Sequence, residues 1–161
     1  MANKNCISSG QKELAKLIRK ALGIRRVILE GTWKWLVSDT GHNMYVDIVV
    51  PSRKLCVEYQ GQQHYFFPNR FHKTYEDFMA QRKRDDIKRN LLKKHGFLYL
   101  SWKYSEKLSL SHVAKRLAAL GLPLANNIVE LIEQEEAAKK KTRKPRRSGR
   151  KMGKTKRVKK K

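Results

Sequence analysis

Two short apolar runs, residues 44–50 and 55–59, flank the four residues Pro51, Ser52, Arg53 and Lys54, and each run carries one acid, Asp47 and Glu58. Read as strands joined by a four-residue loop with Pro51 at the second position of a type I turn, they set 50 opposite 55, 49 opposite 56, 48 opposite 57 and Asp47 opposite Glu58. The β-carbons of such a pair lie about 5 Å apart, where like charges repel. A divalent cation between the carboxylates would turn that repulsion into binding energy. Two hard oxygen donors suit Mg²⁺, with Mn²⁺ as an alternative, and an ion held there can orient a phosphate and lower the pKa of a water. The plainer alternative is that one acid faces solvent or pairs with Arg53 or Lys54. Against it stand Gln60, two residues beyond Glu58 on the same face, Gly61, which lets a backbone approach, and His64.

The surrounding elements can be read from spacing. Ser8 and Gln11 form a capping box, after which Leu14, Leu17, Ile18, Ala21 and Leu22 repeat at helical spacing until Gly23. Residues 27–37, VILEGTWKWLV, are β-branched and aromatic, predicting one or two strands before residue 44; Trp33 and Trp35 would alternate on one, with at least one in the core. Residues 61–74 read as a loop, 75–95 as a helix ended by Gly96, and 97–102 as a strand. A helix follows from Ser109 or Ser111, and a last one from about Ala125. The order predicts a mixed α/β sheet with helices packed on it. The division expected is a core over 1–122, a C-terminal helix over 123–138 and a basic, disordered tail over 139–161.

Charge names the partner class. The net charge of +24 and pI near 10.4 exceed what solubility requires and point to a polyanion. Residues 139–161 hold 15 of the 38 basic residues and no acid, which leaves 23 basic against 14 acidic residues in the rest. Cys6 and Cys56 are too far apart for a metal knuckle and too few for a disulfide framework. With no membrane-length apolar run and no signal-peptide core, a soluble, intracellular, nucleic-acid-associated protein without a membrane partner is expected. Arg82, Lys83, Arg84, Lys88, Arg89, Lys93 and Lys94 outnumber Asp85 and Asp86, so some, Arg82, Arg84, Arg89 and Lys93 among them, should face phosphates. The tail, through Arg143, Arg146, Arg147 and its lysines, would tether nucleic acid without sequence preference, with a localisation signal or a solubilising extension as the alternatives. Glu130, Glu133, Glu135 and Glu136 are expected to pair locally with lysines. The aromatic stretch HYFFPNRFH, 64–72, either stacks on bases or folds down as a minor core.

The stretch DIVVPSRKLCVEYQ, 47–60, resembles the PD-(D/E)-x-K nuclease pattern, in which an acid on one strand precedes an E-x-K tripeptide by about ten residues. With QRKRDDIKRNLLKKHGFLYLSW, 81–102, it is similar to a branch holding very-short-patch mismatch repair endonucleases and phage homing endonucleases. The resemblance spans residues 8 to 104, about 60% of the chain. It implies a restriction-endonuclease-like fold, a Mg²⁺-dependent DNA endonuclease, a phage or mobile-element origin, and DNA as partner, with RNA as an alternative. Asp47 and Glu58 would be the metal ligands, His64 a phosphate contact or general base, Asp85 its orienting group, and Glu13 either an acid completing the site or one side of a surface salt bridge. Two departures stand out. Gln60 replaces the pattern's lysine, a loss that Lys88, one turn after Asp85, could make good from the helix. The zinc ligands of the mismatch repair relatives are missing. Two other classes compete: an inactive nucleic-acid-binding protein of the same fold, and a basic structural or ribosome-associated protein.

Overall fold

A computed structural model describes residues 7–61, 65, 67–69 and 73–142. Four strands form one mixed sheet in the order β1 (Ile28–Gly31), β2 (Val46–Val50), β3 (Leu55–Gln60) and β4 (Leu98–Lys103), antiparallel except for the parallel β3–β4 pair. The parallel step needs a crossover, which α2 (Tyr75–Lys94) supplies. Helices α1 (Ser9–Leu22), α3 (Leu110–Ala119) and α4 (Ile128–Thr142) complete the fold.

The helices begin and end where side chains satisfy their orphan backbone groups. Ser8 Oγ accepts from Gln11 N (3.1 Å) while Gln11 Oε1 accepts from Ser8 N (2.6 Å), the reciprocal cap the sequence predicts. Thr74 and Ser109 cap α2 and α3 with their hydroxyl oxygens, which accept from Asp77 N and His112 N. Gly23 closes α1 in the left-handed conformation that only glycine adopts without strain.

Alternation along the strands sorts the core onto two faces. Ile48, Val50, Leu55, Val57, Leu100 and Trp102 pack with α1 and α3, and Ile128, Leu131 and Ile132 of α4 dock on the same cluster. The last helix is therefore packed onto the core, and it continues through Lys139, Lys140 and Lys141, so the basic segment begins inside a helix. The rest of the tail, with Arg143, Arg146 and Arg147, lies outside the described residues. On the other face a smaller cluster joins Leu36, Met44, Val46, Val49, Cys56 and Leu92.

Residues 27–37 supply one strand, as the sequence allows, but it ends at Gly31, so the expectation that Trp33 and Trp35 alternate on a strand needs correcting. A β-carbon on Gly31 would sit 2.6 Å from Val49 Cγ2, so the chain passes too close to β2 there for any side chain. Beyond it Leu36 N–H donates to Trp33 O (2.9 Å) in a turn. Trp33 and Trp35 stack on each other at 5.1 Å against the second cluster instead of alternating on a strand.

Candidate functional site

The β2–β3 pairs are Ile48↔Val57, Val49↔Cys56 and Val50↔Leu55, the register expected from a loop over 51–54. The loop itself is a 3-10 turn over Pro51–Arg53, with Lys54 in the left-handed region. Past Ile48 the ladder gives way to a side chain. Tyr59 N–H donates to Asp47 Oδ2 at 2.7 Å, a carboxylate standing where a neighbouring strand's carbonyl would otherwise accept. The acid is thereby fixed to β3 at the residue after Glu58.

Glu58 is only 8% exposed. Lys88 Nζ reaches it from α2, lying 3.2 Å from Oε1 and 3.1 Å from Oε2, and donates as well to the Tyr45 carbonyl at 2.9 Å. Burial pushes the Glu58 carboxyl up to about 8 against the pull of the Lys88 ammonium, and the charges of Asp47 and Asp85 add to the rise. Burial works to lower the Lys88 ammonium, yet Glu58, Asp47 and Asp85 together hold it above its usual value. The same three acids thus couple to one cation. Beneath them the Cys56 thiol is pushed up to about 12 by burial and by Glu58, so it packs as a neutral group.

Beside this pair lies an open groove of about 450 Å³. Tyr99, Ser101 and Lys103 of β4 and Gln60 of β3 form its floor, and Phe78, Arg82, Asp85 and Arg89 of α2 one wall. Those wall residues recur every three or four positions, so they share one helical face, and in its middle that face is polar. An ordinary surface helix turns an apolar stripe to its sheet. Here α2 is fastened by Ile87, Leu91 and Leu92 near its C-terminal end and stands off the sheet where Arg82, Asp85 and Arg89 face it.

The fold therefore brings together Asp47, Glu58, Asp85 and Lys88, with Gln60 on the groove floor. Glu13 is not among them: it lies on exposed α1 surface 3.5 Å from Lys16. His64 falls outside the described residues, as do Phe66, Phe71 and His72. The basic helix is more fully paired than its own acids allow, because Asp39 from the 38–43 turn binds Lys83 at 2.6 Å and Asp86 binds Arg89. Arg82 lies over the Phe78 ring at 6.0 Å, and Arg84 and Lys93 are exposed. In α4, Glu135 pairs with Lys139 as anticipated and also accepts from Leu110 N at 3.2 Å. His112 and Arg116 bind Glu106, His95 stacks on Trp35 at 3.7 Å, and His42 meets Thr40.

Sequence reasoning passed over Glu30, which falls between the Leu29↔Ile48 and Gly31↔Val46 pairs and so beside Asp47. Its φ of 53° is a left-handed conformation, and it accepts from Gln11 Nε2 at 3.5 Å. The acid adjacent to a strand-ending glycine was the available signal. Tyr99, Ser101 and Lys103 were also missed as groove residues, although the spacing of every second residue on β4 marks them as one face.

Two carboxylates fixed on adjacent strands are a donor set suited to a hard cation, and the Lys88 ammonium already lies against one of them. Among the described residues no three His, Cys, Asp or Glu side chains converge as a ligand set. No described helix is long and apolar enough to cross a membrane.

The chain is similar to three viral proteins. It is 40% identical over 70 residues to uncharacterized protein 033L of Invertebrate iridescent virus 3, covering 44% of this chain and 36% of that protein. It is 35% identical over 79 residues to uncharacterized protein 307L of Invertebrate iridescent virus 6, 49% and 40% of the two chains. With uncharacterized protein 094L of Frog virus 3 it shares 37% identity over 70 residues, 43% and 45% of the two chains. The matches thus span less than half the length of each relative. No family model and no solved structure matches the chain.

Proposed function

We propose that the protein is a metal-dependent DNA endonuclease with a restriction-endonuclease-like core, encoded by a virus and acting inside the infected cell. The observation that carries the reading is the pairing of a buried acid, Glu58, with Lys88 Nζ at 3.1 Å, near Asp47 and within the electrostatic reach of Asp85, which lines an open groove. In that reading Asp47 and Glu58 hold Mg²⁺. An ion held by those carboxylates would supply a lowered pKa for a water and positive charge beside a phosphate. Lys88 supplies the positive charge that Gln60 lacks, reaching the same carboxylate from the helix instead of from the strand. Gln60 positions a water or a phosphate oxygen, and His64 serves as general base. Arg82, Arg84 and Lys93 meet flanking phosphates, and the basic tail supplies salt-sensitive affinity.

A second reading is favoured by the same pair. Lys88 engages both oxygens of Glu58, as a structural ion pair would in a nucleic-acid-binding protein that does not cut. Supercoiled plasmid with Mg²⁺ separates the two. The nuclease reading expects nicked or linear product that disappears with EDTA and with Asp47→Ala. Retarded plasmid that stays intact in Mg²⁺ and in Mn²⁺ would establish the binding protein instead.

A further inference from the structure

The groove between α2 and β4 has a lining that a duplex backbone does not need. Three rings line it, Tyr65, Tyr99 and Phe78, the last only 8% exposed, and Phe67 and Tyr75 pack against Phe78. Phe67 lies 5.8 Å from Tyr75 and 6.0 Å from Phe78, and Tyr75 lies 6.3 Å from Phe78. Tyr75 is 57% exposed, Phe67 39% and Tyr65 37%, a concentration of rings in water that a purely structural cluster would bury. Cations stand over two of these rings, Arg82 over Phe78 at 6.0 Å and Lys103 Nζ over Tyr65 at 5.3 Å.

Rings and cations in one groove match the two halves of a nucleotide. Base faces stack on aromatic side chains, and Arg or Lys beside them takes the phosphate. In a duplex the base faces are covered by their neighbours, so only an unpaired base can use the rings. The volume of about 450 Å³ is that of a small-ligand pocket. Asp85, inside the groove, disfavours a phosphate there and leaves that space to a base edge. The groove floor continues the strand that carries Glu58, because Glu58 pairs with Ser101 and Gln60 with Lys103.

We infer that this groove receives an unpaired nucleotide, so that the preferred ligand is DNA with a single-stranded segment beside duplex. The inference deepens the nuclease reading by naming its substrate class, and rests on that reading only for where the cut falls.

The test measures binding by the full chain in EDTA, by fluorescence anisotropy. The probes are a blunt DNA hairpin, the same hairpin with a three-nucleotide single-stranded extension at either end, and the extended hairpin with abasic sites in the extension. The expected result is about tenfold tighter binding of one extended hairpin than of the blunt one, the strength of stacking one base. The abasic extension should bind like the blunt hairpin. 2-Aminopurine as the first unpaired base should be quenched on binding. Tyr65→Ala and Arg82→Ala, both at exposed positions, should each reduce the preference severalfold, as should Phe78→Ala where it folds. Equal affinity for all probes would overturn the inference, as would an abasic extension that binds as well as a natural one. Equal binding with Mg²⁺-dependent cutting of both hairpins would sink it and leave the nuclease standing. A base-dependent preference without cutting in Mg²⁺ or Mn²⁺ would do the reverse.

Discussion

The two faces of the sheet are built on different principles. Toward α1 and α3 the contacts are mainly apolar: Leu14, Ile18, Leu117 and Trp102 are fully buried, with Arg116 stacked 5.4 Å over the Trp102 ring. Toward α2 the apolar contact is confined to Val49, Cys56, Leu92 and their neighbours, and the rest of the interface is Glu58, Lys88, Asp85 and the groove. One face supplies the stability that lets the other hold buried charge, since buried ion pairs are weak stabilisers and persist only in a fold secured elsewhere.

The contrast can be broken from the strong side first. Trp102→Ala should lose about 3–5 kcal/mol in urea denaturation, a large part of a domain's total stability. A loss under about 1 kcal/mol would mean that the α1–α3 face does not carry the fold.

Next comes the charged face. Lys88→Met leaves Glu58 buried without its ammonium, a change that costs about 3–5 kcal/mol when the carboxylate must stay ionised. The pH dependence has a definite sign. Glu58 already has its folded value raised to about 8 from an ordinary 4.5, so its protonated form favours folding below about 4.5 and that benefit is lost as pH rises through 8. The variant should therefore be far less stable than the parent at pH 9 and closer to it at pH 5.5. Glu58→Gln in the same chain should restore most of the loss at pH 9. Parallel denaturation curves at both pH values measure all three, and a pH-independent loss would rule out the buried charge as its cause.

A smaller effect sharpens the metal assignment within the nuclease reading. A cation at Asp47 and Glu58 competes with the Glu58 proton, so Mn²⁺ affinity by calorimetry should rise about tenfold or more from pH 6 to pH 8, with proton release. Glu58→Gln should flatten that slope. An unchanged slope would move the ligand elsewhere. The smallest effect belongs to Glu13, whose exposed pair with Lys16 is worth under about 0.5 kcal/mol. Glu13→Ala should leave both stability and plasmid nicking within twofold of the parent, and abolished nicking would bring α1 into the site.

How legible the molecule was in its sequence depended on the range of the interaction. The capping box at Ser8, the helix over 75–94 and the 51–54 loop each follow from residues within a few positions of one another, and the loop fixed the β2–β3 register with it. Trp33 and Trp35 were misplaced on a strand because β-branched and aromatic residues signal burial, which a turn in which the two rings stack achieves as well. Lys88 could be nominated but not chosen among seven cations of one helix. Its partner depends on which helical face meets β3, and α2 has no strong apolar stripe to announce that face. The groove was illegible for the same reason, since it exists where a polar stretch of α2 faces polar residues of β4.

The sequence by itself determined most of the secondary elements, the β2–β3 register that brings Asp47 and Glu58 to neighbouring strand positions, and the excess of positive charge, because periodicity, caps and composition are local or additive properties. Only the tertiary structure decided that Lys88, thirty positions away, lies against Glu58, that Glu13 faces solvent, and that an aromatic and cationic groove opens beside the acids. Those outcomes depend on how α2 and α1 are rotated over the sheet, and rotation is set by packing against residues distant in the chain.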